Sequence, residues 1–126
     1  MENIFNMPVS IPEEIIETIH ESTLPAGVHR VRIERILSAG QASPEGFWYD
    51  QPENEWVLLV QGEARLAFDD GSSLVLKAGD HILIEARRRH RVEYTSAEPP
   101  CVWVCVFFDK ITVDKHRKKQ YNLNYH

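Results

Sequence analysis

The sequence predicts an all-β protein, an antiparallel barrel or sandwich with one short helix near its N-terminus. Three observations carry that prediction. From Arg30 onward the chain falls into short stretches rich in apolar and β-branched residues, several with two-residue alternation. Glycine-bearing turn sequences, Asp69-Asp70-Gly71 and Ala78-Gly79-Asp80, separate neighbouring stretches. The stretch from Cys101 to Phe108 is apolar throughout, so both of its faces need cover.

Taken in order, residues 1–12 contain Pro8 and Pro12 and read as an extended lead-in. Glu13 to Ser22 carries Ile15, Ile16 and Ile19 at helical spacing with acids in its first turn. That pattern predicts a short amphipathic helix packed on the barrel and ended by Pro25 and Gly27. Arg30 to Leu37 reads as the first strand and Gly40 to Gly46 as loop. Glu55 to Val60 is an apolar strand, and Glu63 to Phe68 sets Ala64, Leu66 and Phe68 on one face. Ser73 to Lys77 returns from the Asp-Gly turn. His81 to Glu85 follows, with Ile82 and Ile84 on one face. His90 to Thr95 places His90, Val92 and Tyr94 on one face, and Cys101 to Phe108 closes the set. The chain divides into a lead-in and helix (1–28), a barrel (29–109) and a C-terminal tail (110–126). The tail carries the basic cluster Lys115-His116-Arg117-Lys118-Lys119, read as a solvated face.

At 126 residues and 43% apolar, the chain suits one domain with a real core. A formal net charge of −5 argues against general binding to nucleic acid or an anionic membrane. No apolar run approaches the ~20 residues needed to span a bilayer, and Met1-Glu2-Asn3 does not open a secretory signal. The expectation is a soluble cytoplasmic protein. Cys101 and Cys105 share a strand, ~13 Å apart, too far for a disulfide between them.

Two segments carry a family resemblance. Glu55-Trp56-Val57-Leu58-Leu59-Val60-Gln61-Gly62 resembles the first cupin motif, in which a glutamate precedes a glycine by seven positions. Gly79-Asp80, Glu85 and His90 resemble the second, a glycine followed by a histidine eleven positions on. With the strands between, the resemblance covers residues 40–108. It is similar to small single-domain bacterial cupins, also in Phe47-Trp48-Tyr49-Asp50-Gln51-Pro52. It implies a jelly-roll β-barrel with the working site inside. It does not imply one activity, because cupins include oxygenases, isomerases, lyases, storage proteins and ligand sensors.

In metal-binding cupins, the first motif supplies two histidines and the glutamate, and the second a third histidine. By that resemblance Glu55 and His90 are the candidate catalytic or metal-binding pair. The two first-motif histidines map to Tyr49 and Gln51, or with one extra residue of spacing to Trp48 and Asp50. No histidine lies between His29 and His81, so the first metal motif is degenerate. A divalent metal (Mn, Fe, Ni, Co or Zn) would fall to Glu55, His90, Asp50 and Gln51; an Asp/Glu/His set would favour Mn or Fe. In the second motif Glu85 and Arg87 replace the usual proline and glycine, so the turn there must be built differently.

The candidate ligand pocket is Trp48, Tyr49, Asp50, Gln51, Arg87, Tyr94 and Trp103 around that pair. The Arg87–Arg91 cluster reads either as a solvated barrel lip or as a cationic mouth for a carboxylate or phosphate. The expected function is binding of a small, anionic molecule in the barrel. The alternative is a metal-dependent cupin enzyme of oxygenase, isomerase or lyase type. A homodimer is expected because Val102, Val104, Val106 and Phe108 need cover if Cys101, Trp103, Cys105 and Phe107 fill the barrel. The competing cover is the N-terminal helix.

Overall fold

A computed structural model describes residues 1–23 and 30–109. Eight strands occur among the described residues: β1 (Ile15–Thr23), β2 (Arg30–Ser38), β3 (Asn54–Gln61), β4 (Glu63–Phe68), β5 (Ser73–Lys77), β6 (His81–Ile84), β7 (His90–Thr95) and β8 (Cys101–Phe108). They form a five-stranded sheet in the order β1-β2-β8-β3-β6 and a three-stranded sheet in the order β5-β4-β7. All pairings are antiparallel. The basic cluster at 115–119, the rest of the tail and the Pro25–Gly27 stop lie outside the described residues.

The expected N-terminal helix is a strand. β1 pairs along its length with β2, from Ile15 opposite Leu37 to Thr23 opposite Arg30. Ile15, Ile16, Thr18, Ile19 and Thr23 are β-branched, and their stiff side chains favour a pleated surface over a helix. The helical spacing has a separate origin. The register shifts between Thr18 and His20, leaving Ile19 as an extra residue. Such a bulge breaks two-residue alternation, so a strand can show apolar residues one and four apart.

The two sheets close over one apolar interior. Val57 and Leu59 from β3, and Trp103, Cys105 and Phe107 from β8, meet Ala64, Leu66 and Phe68 from β4 and Leu76 from β5. A second cluster lies on the outer face of the larger sheet. There Ile11, Leu37 and Val102 are buried under Ile4, Met7 and Ile15. The extended lead-in therefore covers part of the β8 outer stripe. Arg35 Nη1 ties it down by donating to the carbonyl oxygens of Ile4 (3.1 Å) and Asn6 (2.6 Å). Each fully buried side chain there contributes roughly 1.5–3 kcal/mol relative to exposure. Val104, Val106 and Phe108 are only partly covered. Among the described residues no helix is long and apolar enough to cross a membrane.

The turn before β7 keeps the backbone that a glycine would give. Arg87 stands at φ +68°, the described non-glycine residue in the left-handed region. The loop is held there by backbone bonds from Arg87 N to Gln51 O (2.7 Å) and Arg88 N to Glu85 O (3.1 Å). Asn54 Oδ1 accepts a further one from Ala86 N (2.8 Å). Arg87→Gly is expected to stabilise the fold by about 0.5–1 kcal/mol, because a β-carbon at positive φ costs more than glycine's unfolded-state entropy. Chemical denaturation of the pair checks this; a loss of stability would contradict it.

Candidate functional site

Two carboxyl- and imidazole-bearing strands from opposite sheets define the polar end of the interior. Glu55 lies near the start of β3, opposite Phe107, and is 8% exposed. His90 opens β7, opposite Phe68, and is 5% exposed. Glu55 Oε1 stands 3.6 Å from His90 Nε2. The other ring nitrogen, Nδ1, is 2.9 Å from the Arg88 carbonyl oxygen. A carbonyl only accepts, so Nδ1 carries a proton and donates it there. Nε2 is thereby turned toward Glu55 and the cavity, free to accept or to carry a second proton.

The 49–51 segment supports this pair. Tyr49 bridges His90 through both backbone bonds, N to O at 2.7 Å and O to N at 3.1 Å. Its ring stacks on the imidazole with centroids 5.3 Å apart. Gln51 Nε2 donates to Glu55 Oε1 at 3.1 Å. Burial, then the charges of Glu14 and Glu55, raise the Tyr49 pKa, so it stays a phenol. Cys105 also faces this space, its thiol pushed well up by burial and by the neighbouring Glu55.

These groups border a cavity of about 220 Å³. Ile36, Val57, Leu66, Ile84 and Trp103 give it apolar walls. The Trp103 indole N–H donates to Ser38 Oγ at 2.9 Å, which fixes the ring. The remaining polar lining is Glu14, Arg32 and Glu34. Arg32 is paired with two carboxylates. Its Nε donates to Glu34 (3.0 Å), its two terminal nitrogens each donate to Glu53 (3.2 Å), and its guanidinium lies 4.4 Å from the Phe107 ring centre. Burial opposes its charge, but the Glu53 and Glu34 carboxylates outweigh that and raise its pKa.

Of the residues singled out in the sequence, Glu55, His90, Tyr49, Gln51 and Trp103 come together at this cavity, and Trp48, Asp50, Arg87 and Tyr94 do not border it. The shorter motif spacing thus describes the inward residues. Strand-like alternation sends Asp50 outward, where it meets Arg87 Nη1 at 3.4 Å. Tyr94 is 50% exposed, because β7 has an extra residue, Glu93, between Val92 (opposite Leu66) and Tyr94 (opposite Arg65). The bulge reverses the side-chain phase, and Thr95, not Tyr94, turns inward.

The arginine cluster stays on the rim. Arg88 covers the Phe68 ring at 3.7 Å, Arg89 approaches Asp69 at 3.9 Å, and Arg89 and Arg91 flank Trp48. Glu14, Arg32 and Glu34 were not singled out from sequence. The available signal was the alternation of β2, which puts Arg32, Glu34 and Ile36 opposite Phe107, Cys105 and Trp103.

The donor set does not fit the three-histidine metal site of the fold family. One imidazole and one carboxylate converge. The two remaining positions hold a phenol kept protonated and an amide whose NH₂ is given to Glu55. Among the described residues no group of three or more His, Cys, Asp or Glu is placed to hold a metal ion.

Two antiparallel sheets enclosing an inward glutamate–histidine pair define a small β-barrel domain with an internal polar site. The cupin domain model matches residues 34–107, and the chain belongs to the cupin family. A Ralstonia eutropha JMP134 structure provisionally named a mannose-6-phosphate isomerase is 40% identical, with a TM-score of 0.78 over 87% of this chain and 98% of that one. A cupin superfamily protein from Desulfitobacterium hafniense DCB-2 is 15% identical (TM-score 0.66, 82% and 84% covered). An RmlC-like cupin from Methanocaldococcus jannaschii with a double-stranded β-helix fold is 14% identical (TM-score 0.60, 85% and 90% covered). The latter two establish the fold alone. No curated protein matches the sequence.

Proposed function

We propose that this cupin binds a small molecule in the barrel, with Glu55 and His90 as its polar contacts and Gln51 and Tyr49 holding them in place. The observation that carries the reading is the 3.6 Å approach of Glu55 and His90, from opposite sheets, in a cavity with apolar walls of Ile36, Val57, Leu66, Ile84 and Trp103 and a further charged lining of Glu14, Arg32 and Glu34. Convergent polar groups in an apolar concavity are the usual build of a ligand site. A cytoplasmic location goes with this reading.

The second reading is a metal-dependent enzyme, with Glu55 and His90 as ligands or as an acid–base pair. The relative provisionally named an isomerase favours it. Against a sugar phosphate as substrate, Arg32 is already held by two carboxylates and the rim arginines face away from the cavity. Elemental analysis of protein purified without chelator separates the two. The binding reading expects far less than one metal per chain and no thermal shift with Mn, Fe, Ni, Co or Zn. Near-unit metal that disappears in His90→Ala would install the enzyme reading instead.

A homodimer through the outer face of the larger sheet is proposed as well. Trp56, Leu58, Val104 and Val106 stand together there, half-buried, with Leu83 46% exposed beside Trp56. Sedimentation equilibrium should give twice 14.6 kDa at tens of micromolar. A single 14.6 kDa species would exclude it.

A further inference from the structure

The charge inside the barrel is opposite to the charge on its rim. Resting on the reading of the cavity as a small-molecule site, we propose that its ligand carries a cationic nitrogen, an ammonium or amidinium group, received by Glu55 and Glu14, with its apolar remainder against Trp103 and Ile36.

Three carboxylates, Glu14, Glu34 and Glu55, border the cavity against a single guanidinium, Arg32. That guanidinium is not available to an anion. It is committed to Glu34 and, through both terminal nitrogens, to Glu53, so turning it toward a ligand would strand two carboxylates. Its surroundings also show how this cavity solvates a cation, with carboxylates at its edge and the Phe107 ring against its face.

Glu55 lacks a cationic partner of that kind. Its side chain is 10% exposed, its hydrogen-bond donor is a neutral amide, and its other polar neighbours are the His90 nitrogen at 3.6 Å and the Cys105 thiol. A buried carboxylate so placed is costly until a positive group joins it. Glu14, exposed at the border of the same cavity, is desolvated enough there that its pKa is raised. A cation would be received by both groups, whereas an anion would meet carboxylates beside a lining guanidinium, Arg32, that is already paired with Glu34 and Glu53. Glu14 and Arg32 precede residue 34, where the shared cupin match begins, so this acidic lining is partly contributed by the N-terminal strands outside that match. The cavity holds the equivalent of roughly seven waters, which suits a small amine and not a nucleotide.

Three size-matched probes test the proposal: benzylammonium, benzyl alcohol and benzoate, titrated at pH 7.5 and followed by the Trp103 indole N–H signal, assigned from its loss in Trp103→Phe. Benzylammonium should bind about tenfold tighter than benzyl alcohol, and benzoate more weakly than either. Glu55→Gln should abolish the preference, Glu14→Gln should reduce it about threefold, and Arg89→Ala should leave it unchanged. Equal binding of all three, or a preference for benzoate, overturns the cationic ligand while leaving the cavity as a binding site. No response to any probe up to about 20 mM overturns the binding reading of the cavity, and the cationic ligand with it.

Discussion

Gly62→Ala is expected to cost about 3–5 kcal/mol of folding stability, the sum of backbone strain and overpacking. Gly62 joins the two sheets between β3 and β4 at φ +95°. A β-carbon there would lie 2.8 Å from Cys101 Sγ, 2.9 Å from Ser96 Oγ and 3.0 Å from Cys101 Cα. None of the three can retreat easily. Ser96 Oγ donates to Pro99 O (2.7 Å) and accepts from Glu63 N (3.0 Å), Cys101 Sγ donates to Glu63 O (3.3 Å), and the third atom is backbone. Gly71→Ala provides the comparison. Gly71 has a similar φ of +89° but nothing within 4 Å of the added carbon, so only the conformational part, about 1 kcal/mol, should be lost. Urea denaturation of both variants gives the difference. Equal losses would show that the crowding at Gly62 is relieved by movement.

His90→Leu is expected to destabilise the protein by about 2–4 kcal/mol, because it removes the bond to the Arg88 carbonyl and leaves the buried Glu55 with one amide, a thiol and apolar atoms around it. Glu55→Leu alone should cost less, since His90 can remain neutral with its Nδ1 bond intact. The double variant should be more stable than His90→Leu, with a coupling of about 1–3 kcal/mol between the positions. Each pair of denaturation midpoints enters the cycle. Additive losses would mean that the 3.6 Å approach has no energetic content.

The seven strands from Arg30 to Phe108 were legible because this sequence writes its alternation and its turns plainly. Asp69-Asp70-Gly71 and Ala78-Gly79-Asp80 stand between strands as read. Reading failed where a strand carries an extra residue. Ile19 made β1 look helical, and Glu93 turned Tyr94 from the inward side to the outward one. A bulge is fixed by pairing with a partner strand, which a single sequence does not display. The same limit hid Glu14, Arg32 and Glu34. On β2 the more apolar face, with Val31, Ile33 and Leu37, is the outer one, and the inner face carries the charges. Hydrophobicity points the wrong way there because Leu37 is covered by the lead-in and the interior holds a polar cavity. Glu55 and His90 were found by motif spacing, and their meeting is a property of the two sheets.

β1 forms one border of the five-stranded sheet, and such a border is an open template on which a foreign chain could add. This one is poorly suited to templating. Its ladder is interrupted at Ile19, and Glu17, His20, Glu21, Ser22 and Thr23 along it are exposed and polar or charged. A strand approaching side-on would meet a kinked, well-hydrated ribbon whose bonds fall out of step after four residues. Strand-by-strand growth from the β1 border, of the kind that leads to fibrils, is therefore disfavoured.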